Sequence, residues 1–184
     1  MNFLQPLALS LSGLGLAQTL LGDHEQGIGY IERGLKIHRK AGLGWHLSTH
    51  ILSKGICLYA SGDLDQAKKI LDEALKVSRE CGEKHTEGKV LAWQGRVLGK
   101  RDEKAVDQAE EDLRGGLEIF ETLKTKPDIA IGYLFLGEVQ SRIGREEEAH
   151  EYLEKAEAMF REMGMDYWLR TMSPLLEGAG SKQR

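Results

Sequence analysis

The chain has 184 residues with 25 basic and 29 acidic side chains, so its net charge is −4. This near balance argues against a nucleic-acid partner, because such surfaces normally carry a basic excess, and no run approaches the roughly 18 apolar residues that span a bilayer. The two cysteines, Cys57 and Cys81, are too few for a disulfide framework or a zinc site. No basic segment precedes the first apolar stretch, so we expect no signal peptide and a cytoplasmic protein without nucleic-acid or membrane partners.

Four related phrases follow one another along the chain. Residues 22–35 read GDHEQGIGYIERGL, residues 62–75 GDLDQAKKILDEAL, residues 104–117 KAVDQAEEDLRGGL and residues 144–157 GREEEAHEYLEKAE. A glycine column precedes the phrases at intervals of 40, 40 and 42 residues: Gly15, Gly55, Gly95 and Gly137. Inside the phrases a second column is small throughout: Gly27, Ala67, Ala109 and Ala149. Two further columns follow this one four and seven residues later, spacings that are those of helices. They are an aliphatic column, Ile31, Leu71, Leu113 and Leu153, and a third small column, Gly34, Ala74, Gly116 and Ala156.

Each repeat is predicted to be a pair of helices. The first helices are expected at about 6–21, 45–60, 86–99 and 127–143, and the second at 24–41, 64–80, 103–123 and 146–163. Gly22-Asp23 and Gly62-Asp63 separate the helices of the first two repeats, with glycine ending one helix and aspartate capping the next. The repeats therefore cover about 6–41, 45–80, 86–123 and 127–163.

The glycines inside these helices need a packing reason. Glycine in a helix interior costs roughly 0.5 to 1 kcal/mol relative to alanine. We expect close approach of paired helices to offset this cost, with Gly15 facing Gly27 and Gly55 facing Ala67.

A further helix is predicted at about 165–176. Its side chains Tyr167, Trp168, Met172 and Leu175 are available to cover the last repeat. Pro174 is expected to kink or end this helix. The polar tail, residues 177–184, is expected to be flexible.

This pattern resembles the tetratricopeptide repeat, in which small, aliphatic and small residues follow a glycine turn. The period of 40 to 42 residues exceeds the 34 usual for the family and resembles the long-helix subtype of kinesin light chains, polarity adaptors and bacterial signalling proteins. HEAT repeats, which also have periods near 40, are the alternative. The resemblance implies an all-α, right-handed superhelix of four helix-turn-helix repeats plus a C-terminal capping helix, forming one domain over residues 1–184. Residues 144–169 are similar to the last repeats of multidomain bacterial signalling proteins.

Candidate catalytic and metal sites are weak. His46 and His50 stand one helical turn apart, a spacing that can chelate a metal, but a surface pair is the simpler interpretation. GLGLAQ at 13–18 begins like a dinucleotide loop, yet it has glutamine in place of the last glycine and follows a helix. Cys57 lies in an apolar helix and is interpreted as core packing. We therefore expect no enzyme activity, no cofactor and no metal.

The resemblance instead implies a partner-binding groove lined by the first helices. Residues turned about 100 degrees from the packing stripe should face it. The candidate groove residues are Leu16, Leu52, Ile56, Tyr59, Lys89, Arg96, Leu134, Glu138 and Arg142. This set is apolar in the N-terminal half and charged, with a basic lean, in the C-terminal half. It suits an amphipathic helix with acidic residues toward one end. The alternative is that Leu16, Leu52 and Ile56 pack between neighbouring repeats or under the C-terminal helix.

The expected function is a non-catalytic scaffold or regulatory module that binds a protein or peptide. The alternative is self-assembly into homo-oligomers through Phe3, Leu4 and Leu7 or through the helix of Trp168. An RNA-binding solenoid would need a basic groove along its whole length, and only the third repeat approaches that composition.

Overall fold

The computed structural model describes residues 3–42 and 45–181. Over these residues the chain forms nine α-helices and no strand. The helices are α1 (Leu4–Leu20), α2 (His24–Lys40), α3 (Leu47–Ala60), α4 (Leu64–Glu80), α5 (Lys84–Arg101), α6 (Val106–Leu123), α7 (Lys126–Arg142), α8 (Glu146–Met163) and α9 (Asp166–Ser181). All eight repeat helices of the sequence analysis are present, within a few residues of their predicted bounds.

The turns between paired helices form as their residues require. Gly22 and Gly62 have φ angles of 92° and 87°, a region that favours glycine. The carboxylates of Asp23 and Asp63 then accept hydrogen bonds from the backbone N–H three residues later, at 3.0 and 3.1 Å. Each aspartate therefore caps a second helix, α2 or α4, as predicted.

Packing divides the chain into two compact units, Met1–Val90 (unit 1) and Leu91–Arg184 (unit 2). Unit 1 contains α1 to α4 and the start of α5, and unit 2 contains the rest of α5 and α6 to α9. The single domain expected over residues 1–184 stays a prediction.

Close approach of paired helices is confirmed in both units. A Cβ atom added to Gly15 would lie 2.5 Å from the carbonyl oxygen of Gly27, too close for any side chain. In unit 2, a Cβ atom on Gly95 would lie 2.5 Å from the carbonyl oxygen of Ala109. Backbone contact therefore requires glycine at Gly15 and Gly95, whereas a Cβ atom on Gly55 or Gly137 would first meet the side chain of Leu71 or Leu153, at 2.7 Å.

Two helices begin later than predicted. α3 begins at Leu47 and not at 45, because His46 adopts a left-handed backbone with φ of 69°. The second helix of the third repeat begins at Val106, after a 3-10 turn over Glu103–Ala105 in which the Asp102 carboxylate accepts from the Lys104 N–H. This turn accommodates the two extra residues of that repeat.

The end of α9 also differs from its prediction. The helix continues through Pro174 to Ser181. Proline removes the hydrogen bond to the carbonyl four residues earlier, which belongs to Arg170. Both residues are exposed, so water can satisfy that carbonyl and the helix tolerates the proline. Of the tail predicted to be flexible, residues 177–181 are helical and residues 182–184 lie outside the described part of the chain.

Candidate functional site

The predicted groove residues of unit 1 fall into an accessible group and a buried one. Leu16 of α1 and Ile56 of α3 occupy equivalent repeat positions and are half-buried, as is Tyr59. Leu52 is only 4% exposed. Of the four predicted apolar groove residues of unit 1, Leu52 is therefore core, whereas Leu16, Ile56 and Tyr59 keep part of their surface accessible.

The same correction applies to Leu134 in unit 2, which is fully buried. Leu52 and Leu134 belong to one repeat position, and all four residues there are buried: Ser12, Leu52, Ala92 and Leu134. At about 100° per residue this position lies about 60° from the glycine column, inside the packed arc of the helix. The expected stripe was therefore centred too close to the packing face, and Leu52 and Leu134 serve as core.

The structure reveals an accessible apolar residue that the sequence analysis did not select. Leu20, one helical turn beyond Leu16, is 58% exposed. Leu20 lies four residues after Leu16, a spacing that indicates the same face of the helix. To predict that Leu20 is accessible, one also needs the width of the buried arc of α1, which the sequence does not provide. We call Leu16, Leu20 and Ile56 the unit 1 face.

In unit 2 the position equivalent to Leu16 and Ile56 holds an ion pair. The guanidinium of Arg96 donates two hydrogen bonds to the Glu138 carboxylate, at 2.7 and 2.6 Å. The two side chains are 11% and 17% exposed, and the guanidinium carbon lies 4.2 Å from the centre of the Phe135 ring. Arg96 and Glu138, which were both predicted to line the groove, therefore form an ion pair with each other inside unit 2.

The other basic residues near the predicted groove differ in their exposure. Arg142 is exposed, and its guanidinium donates to the carbonyl oxygen of Lys100 at 3.4 Å. Lys100 is also exposed, whereas Lys89, which belongs to unit 1, is half-buried. In unit 2, the basic character predicted for the groove is thus carried by Lys100 and Arg142.

α9 covers one end of unit 2 with an aromatic cluster. Trp168 stacks on Phe160 of α8 with ring centres 6.0 Å apart and meets Phe135 of α7 edge-on at 6.2 Å. Met172, one turn further, is fully buried. The predicted covering role of Trp168 and Met172 is confirmed, while Tyr167 stays largely exposed.

The histidines form neither a chelating pair within one helix nor the expected surface pair. His46 precedes α3, whereas His50 lies inside it and is fully buried. The Nδ1 atom of His50 is 2.6 Å from the Ser12 hydroxyl, and its ring meets that of His38 edge-on at 4.8 Å. Burial, followed by the nearby His38 and His46, lowers the pKa of His50 from 6.5 to about 4. Over the described ranges no group of three or more His, Cys, Asp or Glu side chains could hold a metal ion.

Cys57 is a core residue, as predicted. Its side chain is fully buried, and the Thr19 hydroxyl donates to its sulfur at 2.8 Å. Burial raises the pKa of the Cys57 thiol. The thiolate needed for nucleophilic chemistry is therefore disfavoured at this position.

A cleft of about 680 Å³ lies in unit 1 beside the start of α3. Trp45 and His46 form one wall, and the turn between α4 and α5 forms the other. The backbone N–H of His46 donates to the Glu83 carboxylate at 2.8 Å, and the Ser48 hydroxyl donates to the same group. Helical periodicity does not reveal this cleft, because one of its walls includes His46, whose backbone is left-handed and lies before α3.

Comparisons with known proteins agree with this architecture. Two family models described as tetratricopeptide repeat match residues 52–81 and 90–162, which together make up more than half of the chain. No curated protein matches the sequence significantly. None of the described helices is both long and apolar enough to cross a membrane.

Two crystal structures of the nearly identical TPR-like repeats of a protein described as a kinesin light chain, from Podosopora anserina, are similar to this chain. The first has a TM-score of 0.66 at 16% identity and covers 97% of this chain and 84% of that chain. The second has a TM-score of 0.66 at 14% identity and covers 100% and 99%. At such identity the likeness concerns the fold, and it confirms the predicted all-α helical-repeat class. With the glycine-column packing and the two family matches, it establishes that the chain belongs to the tetratricopeptide repeat family.

Proposed function

We propose that this chain is a non-catalytic scaffold that binds the apolar side of a partner helix on the unit 1 face. Tetratricopeptide repeats generally mediate protein–protein interaction. The observation that carries the proposal is the accessible apolar surface formed by Leu16, Leu20 and Ile56 on two first helices of one unit. Full burial of one such side chain contributes about 1.5 to 3 kcal/mol, so a few of them supply a useful binding energy.

The ion pair in unit 2 limits which of its predicted groove charges can attract a partner. Arg96 and Glu138 are satisfied by each other and therefore contribute little new electrostatic attraction to a partner. Lys100 and Arg142 are exposed and can attract carboxylates. We therefore infer a second, separate contact, in which an acidic segment meets Lys100 and Arg142 of unit 2 and which added salt weakens.

The setting of this scaffold is inferred from the last repeat. We propose a regulatory role in the cytoplasm, the setting implied by the expected resemblance of residues 144–169 to the final repeats of bacterial signalling proteins. In that role the chain holds a partner segment in place and leaves the chemistry to other domains or proteins.

The test uses a displayed library of amphipathic helical peptides selected against the full chain. Peptides that emerge are measured against the Leu20→Glu variant, which places a charge in the unit 1 face at an exposed position. We expect affinity to fall by roughly tenfold or more, about 1.4 kcal/mol. The matched control is Leu14→Glu, on the other side of α1. Equal binding of the selected peptides to wild type and to Leu20→Glu would refute the unit 1 face.

A further inference from the structure

A second apolar stripe runs along α1 on the side away from the unit 1 face. It begins at the residue before α1, ends at the residue after it, and follows spacings of 4, 3, 4, 3 and 4 residues. We call it the α1 seam, and its members are Phe3, Leu7, Ser10, Leu14, Ala17 and Leu21. Phe3 is 72% and Leu21 81% exposed, and the other four are also exposed. Such heptad spacing is the pattern by which one helix packs lengthwise on another.

The α1 helix carries no charge. Its sequence, LQPLALSLSGLGLAQTL, has no acidic, basic or histidine side chain. A helix that is apolar on every side is normally buried on every side. Among the described residues of unit 1, α2 and α3 cover one side of α1, the side of Ser12, Gly15 and Thr19.

The equivalent seam of α3 is covered by the preceding helix pair of unit 1. His50 of that seam contacts Ser12 of α1, and its ring packs against His38 of α2. Cys57, further along, accepts the hydrogen bond from Thr19 of α1. Lys54, between them, forms an ion pair with Glu32 of α2 at 2.8 Å.

The seam of α7 is covered in the same way within unit 2. The position of Gly132 packs against Leu117 of α6, and Val139 packs against Gly99 of α5. Leu136 between them is fully buried. In α3 and in α7, therefore, the seam contacts another helix pair of the same unit, whereas in α1 the seam is exposed.

We propose that the α1 seam binds the α1 seam of a second copy of this chain, forming a twofold-symmetric dimer. A twofold interface requires a surface that is complementary to itself. An uncharged apolar stripe meets this requirement, because two copies bring no like charges together. The proposal concerns a surface of α1 separate from the unit 1 face, so it goes beyond the proposed binding function.

Head-to-tail stacking of copies is disfavoured by α9. In unit 1 the ring of His38 receives the ring of His50. The residue of α8 equivalent to His38 is Phe160, and its ring is already stacked by Trp168 of α9. The surface that would accept another first helix at that end is thus occupied, which leaves the α1 seams to meet each other.

Sedimentation equilibrium of the full chain over a concentration series tests the proposal. The wild type should approach twice the 20.6-kDa mass of one chain as concentration rises. Leu14→Glu and Leu21→Glu should each raise the dimer dissociation constant by about tenfold or more. Leu20→Glu is the matched control, adjacent in sequence to Leu21 but on the unit 1 face, and it should leave the constant nearly unchanged.

The variants separate this proposal from the proposed function. Leu21 lies at the exposed end of α1, so its substitution leaves the core intact, and circular dichroism confirms that the helices are retained. Leu21→Glu should lose self-association and keep peptide binding, whereas Leu20→Glu should do the reverse. The twofold dimer would be overturned if the wild type stayed monomeric at every concentration. It would also be overturned if the dimer survived both seam substitutions. Binding of a foreign helix pair to the seam of a strict monomer would identify a different occupant and likewise overturn the proposal.

Discussion

The Arg96 guanidinium and the Glu138 carboxylate share two hydrogen bonds at a repeat position where unit 1 has Leu16 and Ile56. Removing one partner of a largely buried pair leaves a charge without its counter-ion, which typically costs 3 to 5 kcal/mol when burial is complete. The pair is slightly exposed, so we expect Glu138→Ile alone to lower the free energy of unfolding by about 2 to 3 kcal/mol. Urea unfolding measures this change.

A double variant tests whether the cost of Glu138→Ile comes from the charge that Arg96 then leaves without a counter-ion. Arg96→Leu with Glu138→Ile recreates the residues of unit 1 and removes both buried charges. We expect the double variant to recover most of the stability lost by Glu138→Ile, because replacing a buried pair by apolar side chains is often nearly neutral. Additive losses in the double-mutant cycle would mean that the two side chains act independently.

The glycine column makes a prediction about overpacking. Gly95→Ala places a methyl group 2.5 Å from the carbonyl oxygen of Ala109, so the two helices must separate. We expect thermal or urea unfolding to show a loss of about 1 to 3 kcal/mol. The control is Gly115→Ala in α6, where the nearest atom to the new methyl group would be 3.6 Å away; there the gain in helix propensity should make the change neutral or stabilising. A harmless Gly95→Ala would contradict the close packing of α5 on α6.

His50 predicts a loss of stability on mild acidification. Its pKa is about 4 in the folded chain, against 6.5 for an unperturbed histidine, so the unfolded chain takes up a proton first as the pH falls. The free energy of unfolding contributed by neutral His50 is fully present above pH 6.5. It declines between pH 6.5 and about 4 and changes no further below that. The decline amounts to about 3 kcal/mol from a shift of this size. Denaturant unfolding across this pH range measures it.

The control for the pH prediction replaces the histidine. His50→Val introduces the residue that occupies the equivalent position in α5, Val90, and should flatten the dependence on pH above 4.5. Below 4.5 the carboxylates contribute as well. Burial raises the pKa of Glu87, but hydrogen bonds from Lys84 and Arg79 outweigh it and bring the value below 4.5. An undiminished pH slope above 4.5 in His50→Val would assign the effect to another group.

Trp168 predicts that α9 stabilises unit 2. Trp168→Ala removes the ring contacts to Phe160 and Phe135. Large aromatic truncations in full cores cost about 3 to 5 kcal/mol, and this half-buried ring should cost about 2 to 3. Tyr167→Ala, its more exposed neighbour in the same helix, is the control and should cost less than about 1 kcal/mol. Equal effects of the two substitutions, measured by thermal unfolding, would show that α9 contributes no specific cover.

Most of the fold was predictable because it rests on local and repeated signals. Capping by Asp23 and Asp63 needs only residues within one turn, and the glycine column marks helix contact wherever it recurs. Trp168 could be assigned to cover the last repeat because an apolar helix after the final pair has nowhere else to bury its side chains. Pro174 misled the prediction, since whether a helix tolerates proline depends on which of its carbonyls faces water.

The candidate site was predicted less completely because accessibility is a property of tertiary packing. Periodicity alone determined that Leu16, Ile56, Arg96 and Glu138 occupy one repeat position, and that the four repeats form paired helices. Only the structure decided that Leu52 and Leu134 are core, that Leu20 is open, and that Arg96 and Glu138 pair with each other. The physical reason is that the helical angle places residues relative to their own axis, whereas the width of the buried arc is determined by how closely the neighbouring helices approach.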